Sequence, residues 1–209
     1  MLISKRFKTI LFAVICLPVI AFSQDFQILS SFTKNGFELT SITETELNSK
    51  WGYFNLNQAS ADYDTTDKLG FESSHYLSYN ISRGLGVTGG LTLQNDDVLP
   101  QLGLGLDHST GNFSFNIYGT GFYSLTDDEL GSSFNSLIEY VHPISDRWDF
   151  YNLLIIEADI THDITSQNQW NIGFQRNKNL QFGMSFDFDF VDDFDNNDTE
   201  VGIFLGVNL

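Results

Sequence analysis

Cysteine and proline are nearly missing from this chain of 209 residues, which contains 1 Cys and 3 Pro. The one cysteine, Cys16, lies in an N-terminal leader, so the rest of the chain can form no disulfide bond. A secreted chain of this size without disulfides must be held together by its own sheet or by a membrane. The sequence is therefore not that of a disulfide-stapled secreted domain.

Basic residues are also scarce, with 10 Lys and Arg against 27 Asp and Glu and a net charge of −17. Three of the ten, Lys5, Arg6 and Lys8, belong to the leader, which leaves seven bases, 27 acids and a balance of −20. A nucleic-acid-binding protein needs a basic face to meet phosphates, so this class is excluded. Acidic disordered chains are poor in aromatic residues, whereas this chain has 15% of them.

After the leader, the chain has no apolar run close to 18 residues and no sustained helical periodicity, which excludes a helical membrane bundle. Residues 1–23 have the pattern of a signal peptide: a positive start, an apolar core from Thr9 to Ile20, and Ala21-Phe22-Ser23 before the cleavage site. A membrane anchor is the alternative, but the apolar core is shorter than the roughly 20 residues that a spanning helix needs.

What recurs is alternation of apolar and polar residues with period two, as in LQFGMSFDFDF at 180–190. Ten to twelve strands are predicted, with these bounds: 26–33, 37–47, 51–63, 69–81, 85–94, 99–107, 113–123, 133–142, 148–160, 169–175, 180–191 and 201–209. Tilted strands of about 9–11 residues match a bilayer, and an even number is typical of bacterial outer-membrane barrels. The prediction is an all-β fold, a closed antiparallel up-and-down transmembrane β-barrel of about 12 strands (10 possible), over residues 24–209.

Connections between these segments alternate between two kinds. Short connections at 48–50, 82–84, 108–112, 143–147 and 176–179 carry most of the bases. Longer, mostly acidic ones lie at 33–36, 64–68, 95–98, 124–132, 161–168 and 192–200. Short periplasmic turns and long outer loops are typical of outer-membrane barrels, so the second set is predicted to face outward. All seven bases fall in connections, as a lipid-facing wall requires.

A soluble β-sandwich would alternate in the same way, with its apolar face as a dry core. Two observations favour the membrane: the polar face has almost no lysine, and five aromatic residues are predicted at strand ends, where interfacial girdles lie. They are Trp51, Tyr63, Tyr123, Trp148 and Trp170. A secreted carbohydrate-binding sandwich remains an alternative.

The sequence offers little catalytic chemistry, and no enzyme activity and no cofactor are expected. The four histidines are His75, His108, His142 and His162. Outer-membrane phospholipases pair a His with a Ser, for which His108-Ser109 is the nearest candidate, but neighbours on a strand point to opposite faces. The Asp-rich segment 192–200 could hold Ca²⁺, and the alternative is a soluble Asx-rich turn.

The polar face carries acids and no base, which makes it the candidate pore lining. The predicted pore-lining residues are Glu72, Asp107, Glu139, Asp149, Tyr151, Glu157, Asp159, Asp187 and Asp189. Tyr76, Tyr118 and Phe204 share this face. An acid-lined tube concentrates cations and repels anions. The alternative is a lumen filled by side chains, as in small barrels.

These observations predict a porin-like channel in the outer membrane of a Gram-negative bacterium. It would pass small hydrophilic solutes, neutral or cationic, by passive diffusion. Its expected partners are outer-membrane lipid, lipopolysaccharide and the barrel-assembly machinery, with no nucleic acid. A non-conducting structural or surface-interaction barrel is the main alternative.

Residues 39–47, LTSITETEL, then Lys50-Trp51-Gly52-Tyr53-Phe54 and Asp62-Tyr63-Asp64, resemble the second and third strands of Tsx-type nucleoside-specific channels. The resemblance covers about 30 residues. It implies a narrow monomeric barrel of twelve strands with an aromatic and polar lining, and nucleosides as possible solutes.

Overall fold

The computed structural model describes residues 25–63, 69–95, 97–161, 165–190 and 199–209. The predicted signal peptide and most of the Asp-rich segment 192–200 lie outside the described residues. No helix in the described part of the chain is long and apolar enough to cross a membrane.

Twelve antiparallel strands form one sheet that closes on itself. They are β1 (Asp25–Phe32), β2 (Gly36–Glu46), β3 (Trp51–Asp62), β4 (Leu69–Ser82), β5 (Leu85–Gln94), β6 (Asp97–Thr110), β7 (Phe113–Ser124), β8 (Glu129–Ser145), β9 (Trp148–Asp159), β10 (Thr165–Arg176), β11 (Leu180–Phe190) and β12 (Thr199–Asn208). Each strand pairs with its neighbours in sequence, and β1 pairs with β12. The barrel of about twelve strands is thus confirmed, and the sandwich is excluded because one continuous ladder runs round the whole molecule.

Closure gives the sheet an inside and an outside, and period-two alternation distributes the side chains between them. Along the seam, the backbone register runs from Gln27 opposite Asn208 to Phe32 opposite Ile203. Outward apolar side chains are exposed, as Leu102 is at 68% and Ile203 at 60%. Inward Tyr151 is fully buried. The apolar side of the alternation therefore faces away from the barrel.

The two ends of the barrel differ. One end, called the hairpin end here, has connections of two to four residues at 47–50, 83–84, 111–112, 146–147 and 177–179, together with Asp25 and Leu209. The other end, the loop end, has the connections at 33–35, 63–68, 95–96, 125–128, 160–164 and 191–198. Arg83 and Gly84 both have positive φ, 47° and 86°, as the two central residues of a tight hairpin turn require.

Several strands run further than predicted, because ladder pairing continues into residues that were assigned to turns. β6 and β7 pair up to Thr110 opposite Phe113, and β7 and β8 pair from Ser124 opposite Glu129. The predicted connections 108–112 and 124–132 are therefore wrong in length. Two predicted positions also change: Arg176 is the last residue of β10 rather than part of a turn, and Trp170 lies in the middle of β10 rather than at its end.

Candidate functional site

The lumen is the candidate site, and the register decides which side chains enter it. Residues on the inward face of each strand are paired with inward residues of the next, from Glu72 opposite Gln58 to Asp187 opposite Gln169. The same alternation places the following predicted residues on the inward face: Glu72, Asp107, Glu139, Asp149, Tyr151, Glu157, Asp159 and Asp187. The backbone of Asp189 pairs with Gln167, and its side chain lies outside what the structure describes.

Halfway along the lumen, aromatic rings meet across the barrel. Tyr76 on β4 stacks on Tyr118 on β7 with centroids 4.9 Å apart and planes 2° from parallel. Phe54 on β3 lies 5.3 Å from the Tyr118 ring. Because β3, β4 and β7 include strands that are not neighbours, these contacts cross the lumen rather than run along the wall. Leu56, Leu137 and Ile155 belong to the same buried cluster. These six residues are called the aromatic layer below.

A second cross-lumen group lies nearer the hairpin end. The rings of Tyr151 on β9 and Phe204 on β12 are 6.0 Å apart. Gln27 on β1 donates from Nε2 to Tyr151 Oη at 2.7 Å and to Gln181 Oε1 at 2.8 Å. These bonds join β1, β9 and β11, so polar and apolar contacts together occupy this level of the barrel.

The lumen is therefore not lined by acids along its whole length. Apolar inward residues fill its middle, among them Leu29, Ile42 and Leu153, which are at most 5% exposed. The alternation in the sequence did not predict these inward apolar residues. In β9, for example, residues 153–156 are Leu-Leu-Ile-Ile, so inward and outward positions are equally apolar.

Two cavities lie between the aromatic layer and the loop end. The first has a volume of about 340 Å³, and its walls include Glu72, Gln101, Asn135, Glu157 and Asp159. The second has a volume of about 250 Å³, and its walls include Glu38, Asp62, Gln167, Asp187 and Glu200. Both are polar and acidic, and Gln167 lines both. Together they form an acidic vestibule above the aromatic layer.

The acids of the described lumen are held by amides and hydroxyls, since no inward position of the described strands carries Lys or Arg. Gln169 Nε2 donates to Glu38 Oε1 at 3.0 Å across the barrel. With its amide nitrogen turned toward the carboxylate, Gln58 donates to both oxygens of Glu157 at 3.0 and 3.1 Å. The lack of bases is evident from the sequence, whereas these amide partners on distant strands are not.

A smaller set of acids lies on the hairpin-end side of the aromatic layer. Tyr118 Oη donates to Asp107 Oδ1 at 3.0 Å, so one tyrosine both belongs to the aromatic layer and holds an acid on its hairpin-end side. Glu44 accepts from Asn116 Nδ2. Glu139 and Asp149 occupy inward positions of β8 and β9 at this side. The predicted acids are therefore divided into two groups rather than brought together in one.

The other chemical candidates from the sequence do not form sites. His108 points outward, with its ring 5.6 Å from that of Phe115, while Ser109 pairs with Ser114 on the inward face. His162 lies outside the described residues. Within the ranges that the structure describes, no group of three or more His, Cys, Asp or Glu side chains could hold a metal ion.

The barrel is similar in fold to solved porins. It matches the KdgM porin with a TM-score of 0.50 and 10% identity, over 88% of this chain and 97% of that porin. It matches the NanC porin with a TM-score of 0.52 and 10% identity, over 87% of this chain and 98% of that one. No protein-family model matches the sequence, and no curated protein matches it. At this identity the similarity shows the barrel fold and no solute class.

Proposed function

We propose that the chain is a narrow porin-like channel in the outer membrane of a Gram-negative bacterium. It passes small hydrophilic solutes, neutral or cationic, by passive diffusion, and nucleosides are candidates through the resemblance of β2 and β3. The observation that carries the proposal is the closed barrel with an apolar outer wall and an acidic vestibule leading down to the aromatic layer. Similarity of the fold to two porins supports it.

Acids lining a lumen in which no inward position of the described strands carries Lys or Arg concentrate cations and exclude anions from the vestibule. The aromatic layer then sets the narrowest point, so only small solutes pass. We expect conductance to be low and selective for cations. The predicted signal peptide and the predicted outer loops fit export to this membrane, where lipid, lipopolysaccharide and the barrel-assembly machinery are the expected partners.

A second candidate is a non-conducting structural barrel, which the filled middle of the lumen favours. Recording from the refolded chain starting at Gln24 in planar bilayers separates the two. Discrete openings with cation preference would support the channel. A heat-modifiable, folded barrel that produces no current, or one that prefers anions, would overturn it. Uptake of radiolabelled nucleosides into proteoliposomes tests that solute class separately.

A further inference from the structure

A network of polar side chains lies on the outer wall, where the rest of the described barrel is mainly apolar. It consists of Ser41, Tyr53, Asn55, Asn57, Ser73 and His75 on β2, β3 and β4. Their ladder partners fix them as outward: Asn55 lies opposite His75 and Asn57 opposite Ser73, one residue out of phase with inward Leu56 and Ser74. Polar and ionisable groups facing lipid are costly, so their presence calls for a function. Channel activity in the lumen does not require these outward polar groups.

The geometry within the network places a serine hydroxyl beside a histidine ring that also contacts a tyrosine. Ser73 Oγ lies 2.9 Å from His75 Nε2, and His75 Nδ1 lies 2.7 Å from Tyr53 Oη. With Asn57 in place, Ser73 Oγ donates its one proton to Asn57 Oδ1, so His75 Nε2 donates to Ser73 and His75 Nδ1 accepts from Tyr53. Once Asn57 is displaced, the other tautomer reverses both contacts: Nδ1 donates to Tyr53 and Nε2 accepts from Ser73. A hydroxyl bonded to a base, with the base oriented by a third group, is the arrangement of nucleophilic catalysis.

Two asparagines complete the surroundings of this pair. Asn55 Nδ2 donates to the carbonyl of Ser74 at 2.9 Å and lies 3.3 Å from His75 Nδ1, which fixes the edge of the imidazole. Asn57 Oδ1 accepts the hydroxyl proton of Ser73 at 2.5 Å. Rotation of the Asn57 amide would leave His75 as the acceptor and direct an N–H toward a carbonyl placed beside Ser73.

The position on the wall indicates the class of substrate. Phe71, two residues from Ser73 on the same outward face, is the third residue of β4 from the loop end. Aromatic side chains at such positions mark the boundary between acyl chains and headgroups. Two residues of a strand span about 7 Å, so Ser73 lies about one row of side chains below that boundary. Lipid ester groups lie close to the same boundary.

We propose that Ser73 and His75 form an acyl-ester hydrolase site on the lipid-facing wall, with Ser73 as the nucleophile, His75 as the general base and Tyr53 as a positioning residue. Ser73 Oγ attacks the ester carbonyl, its proton passes to His75 Nε2, and the C–O bond breaks as the alcohol leaves with that proton. Water then attacks the acyl-serine, gives its proton to His75, and the fatty acid leaves as Oγ is protonated again. The net reaction is ester plus water to acid plus alcohol.

In the structure the site is closed to lipid, since Ser73 is 1% exposed and His75 is 9% exposed. The substrate carbonyl must therefore displace the Asn57 amide. The proposal requires the outer wall to contact lipid, but it does not require conductance, so it can fail or succeed independently of the channel.

The test uses the chain from Gln24 refolded in dioleoylphosphatidylcholine vesicles, with release of oleate and labelling by a lipophilic fluorophosphonate as the two readouts. We expect the label on Ser73 in the peptide map. Ser73→Ala should abolish both signals, and His75→Ala should lower both by about 100-fold or more, the usual contribution of a general base. Ser30→Ala, an outward serine on β1, is the matched control and should leave both unchanged.

The outcomes decide the proposal, provided that each variant shows the heat-modifiable migration of a folded barrel. Loss of both signals in Ser73→Ala, with unchanged single-channel conductance, supports a hydrolase on the outer wall. A folded wild-type barrel that is not labelled at Ser73, or whose oleate release equals that of Ser73→Ala, overturns it and leaves the network a structural one.

Discussion

At the scale of single residues, the aromatic layer is held in place by hydrogen bonds from opposite walls. Tyr76 Oη donates to Gln101 Oε1 at 3.2 Å and accepts from Asn135 Nδ2 at 2.8 Å. Tyr118 is fixed by its bond to Asp107. Each of the two tyrosines is thus hydrogen-bonded through its hydroxyl and stacked on the other ring. The layer therefore acts as a fixed constriction rather than as a loose flap.

The first prediction concerns Tyr118, whose ring contacts both Tyr76 and Phe54. Tyr118→Ala should widen the lumen and raise single-channel conductance severalfold, because the stack loses its central ring. Removing a large buried ring should also lower the free energy of unfolding by about 3–5 kcal/mol. Planar-bilayer recording and urea titration in detergent measure the two effects.

Tyr118→Phe is the control, since it keeps the ring and loses only the hydroxyl, which bonds to Asp107. Its conductance should stay close to that of the wild type. An unchanged conductance in Tyr118→Ala would show that ions do not pass the aromatic layer.

At the scale of strands, the aromatic group near the hairpin end depends on two glycines. Gly173 on β10 and Gly183 on β11 face each other, flanked by Tyr151 on one side and Phe204 on the other. The two rings approach each other at 6.0 Å over this pair. A Cβ atom on Gly183 would lie 2.1 Å from the Ile172 carbonyl oxygen and 2.6 Å from Gly173 Cα. Backbone atoms cannot yield as side chains do, so only glycine fits here.

Gly183→Ala is therefore expected to separate β10 from β11 locally and to cost at least about 1–3 kcal/mol of stability. The measurement is the temperature at which the heat-modifiable band disappears on a gel. Gly119→Ala is the matched control, because an added Cβ at that glycine of β7 meets nothing within 4 Å. Equal melting of the two variants would contradict the close approach of the strands.

The strands themselves could be predicted from the sequence, because alternation is a property of each strand alone. β11, with Phe182, Phe186 and Phe188 all outward, is the clearest case. What could not be predicted were contacts between distant strands: the Tyr76–Tyr118 stack and the bond between Gln169 and Glu38 depend on closure, which no local pattern contains. The Ser73–His75 pair was also missed, although Ser-x-His within a strand places both side chains on one face.

At the scale of the whole molecule, the pairing of β1 with β12 turns a sheet into a barrel. Outward Ile28 lies directly opposite Val207 across this seam. In the chain from Gln24, which lacks Cys16, the double variant Ile28→Cys/Val207→Cys should form an intramolecular disulfide after refolding. Cross-strand neighbours in a sheet are close enough for such a bond.

The control pair Ile28→Cys/Ile203→Cys is out of register, because Ile203 lies opposite Phe32. It should remain reduced. Non-reducing gel migration and thiol titration distinguish the two variants. A bond that forms equally in both would contradict the register of the seam.

The charge of the vestibule gives the last prediction, which also belongs to the whole barrel because its acids come from six strands, β2, β3, β4, β9, β11 and β12. Current through a lumen with carboxylates and no inward base in the described strands should be carried mainly by cations. The preference for cations should decrease as the KCl concentration rises from about 0.1 M to about 1 M, since the screening length shortens from about 10 Å to about 3 Å. Glu72→Gln/Glu157→Gln replaces two acids that line the larger cavity with amides of similar shape. Reversal potentials should move toward zero in this variant, whereas Asp146→Asn, in an exposed turn at the hairpin end, should leave them unchanged. If the Glu72 and Glu157 variant kept the full cation preference, the selectivity would have to arise from acids outside this cavity.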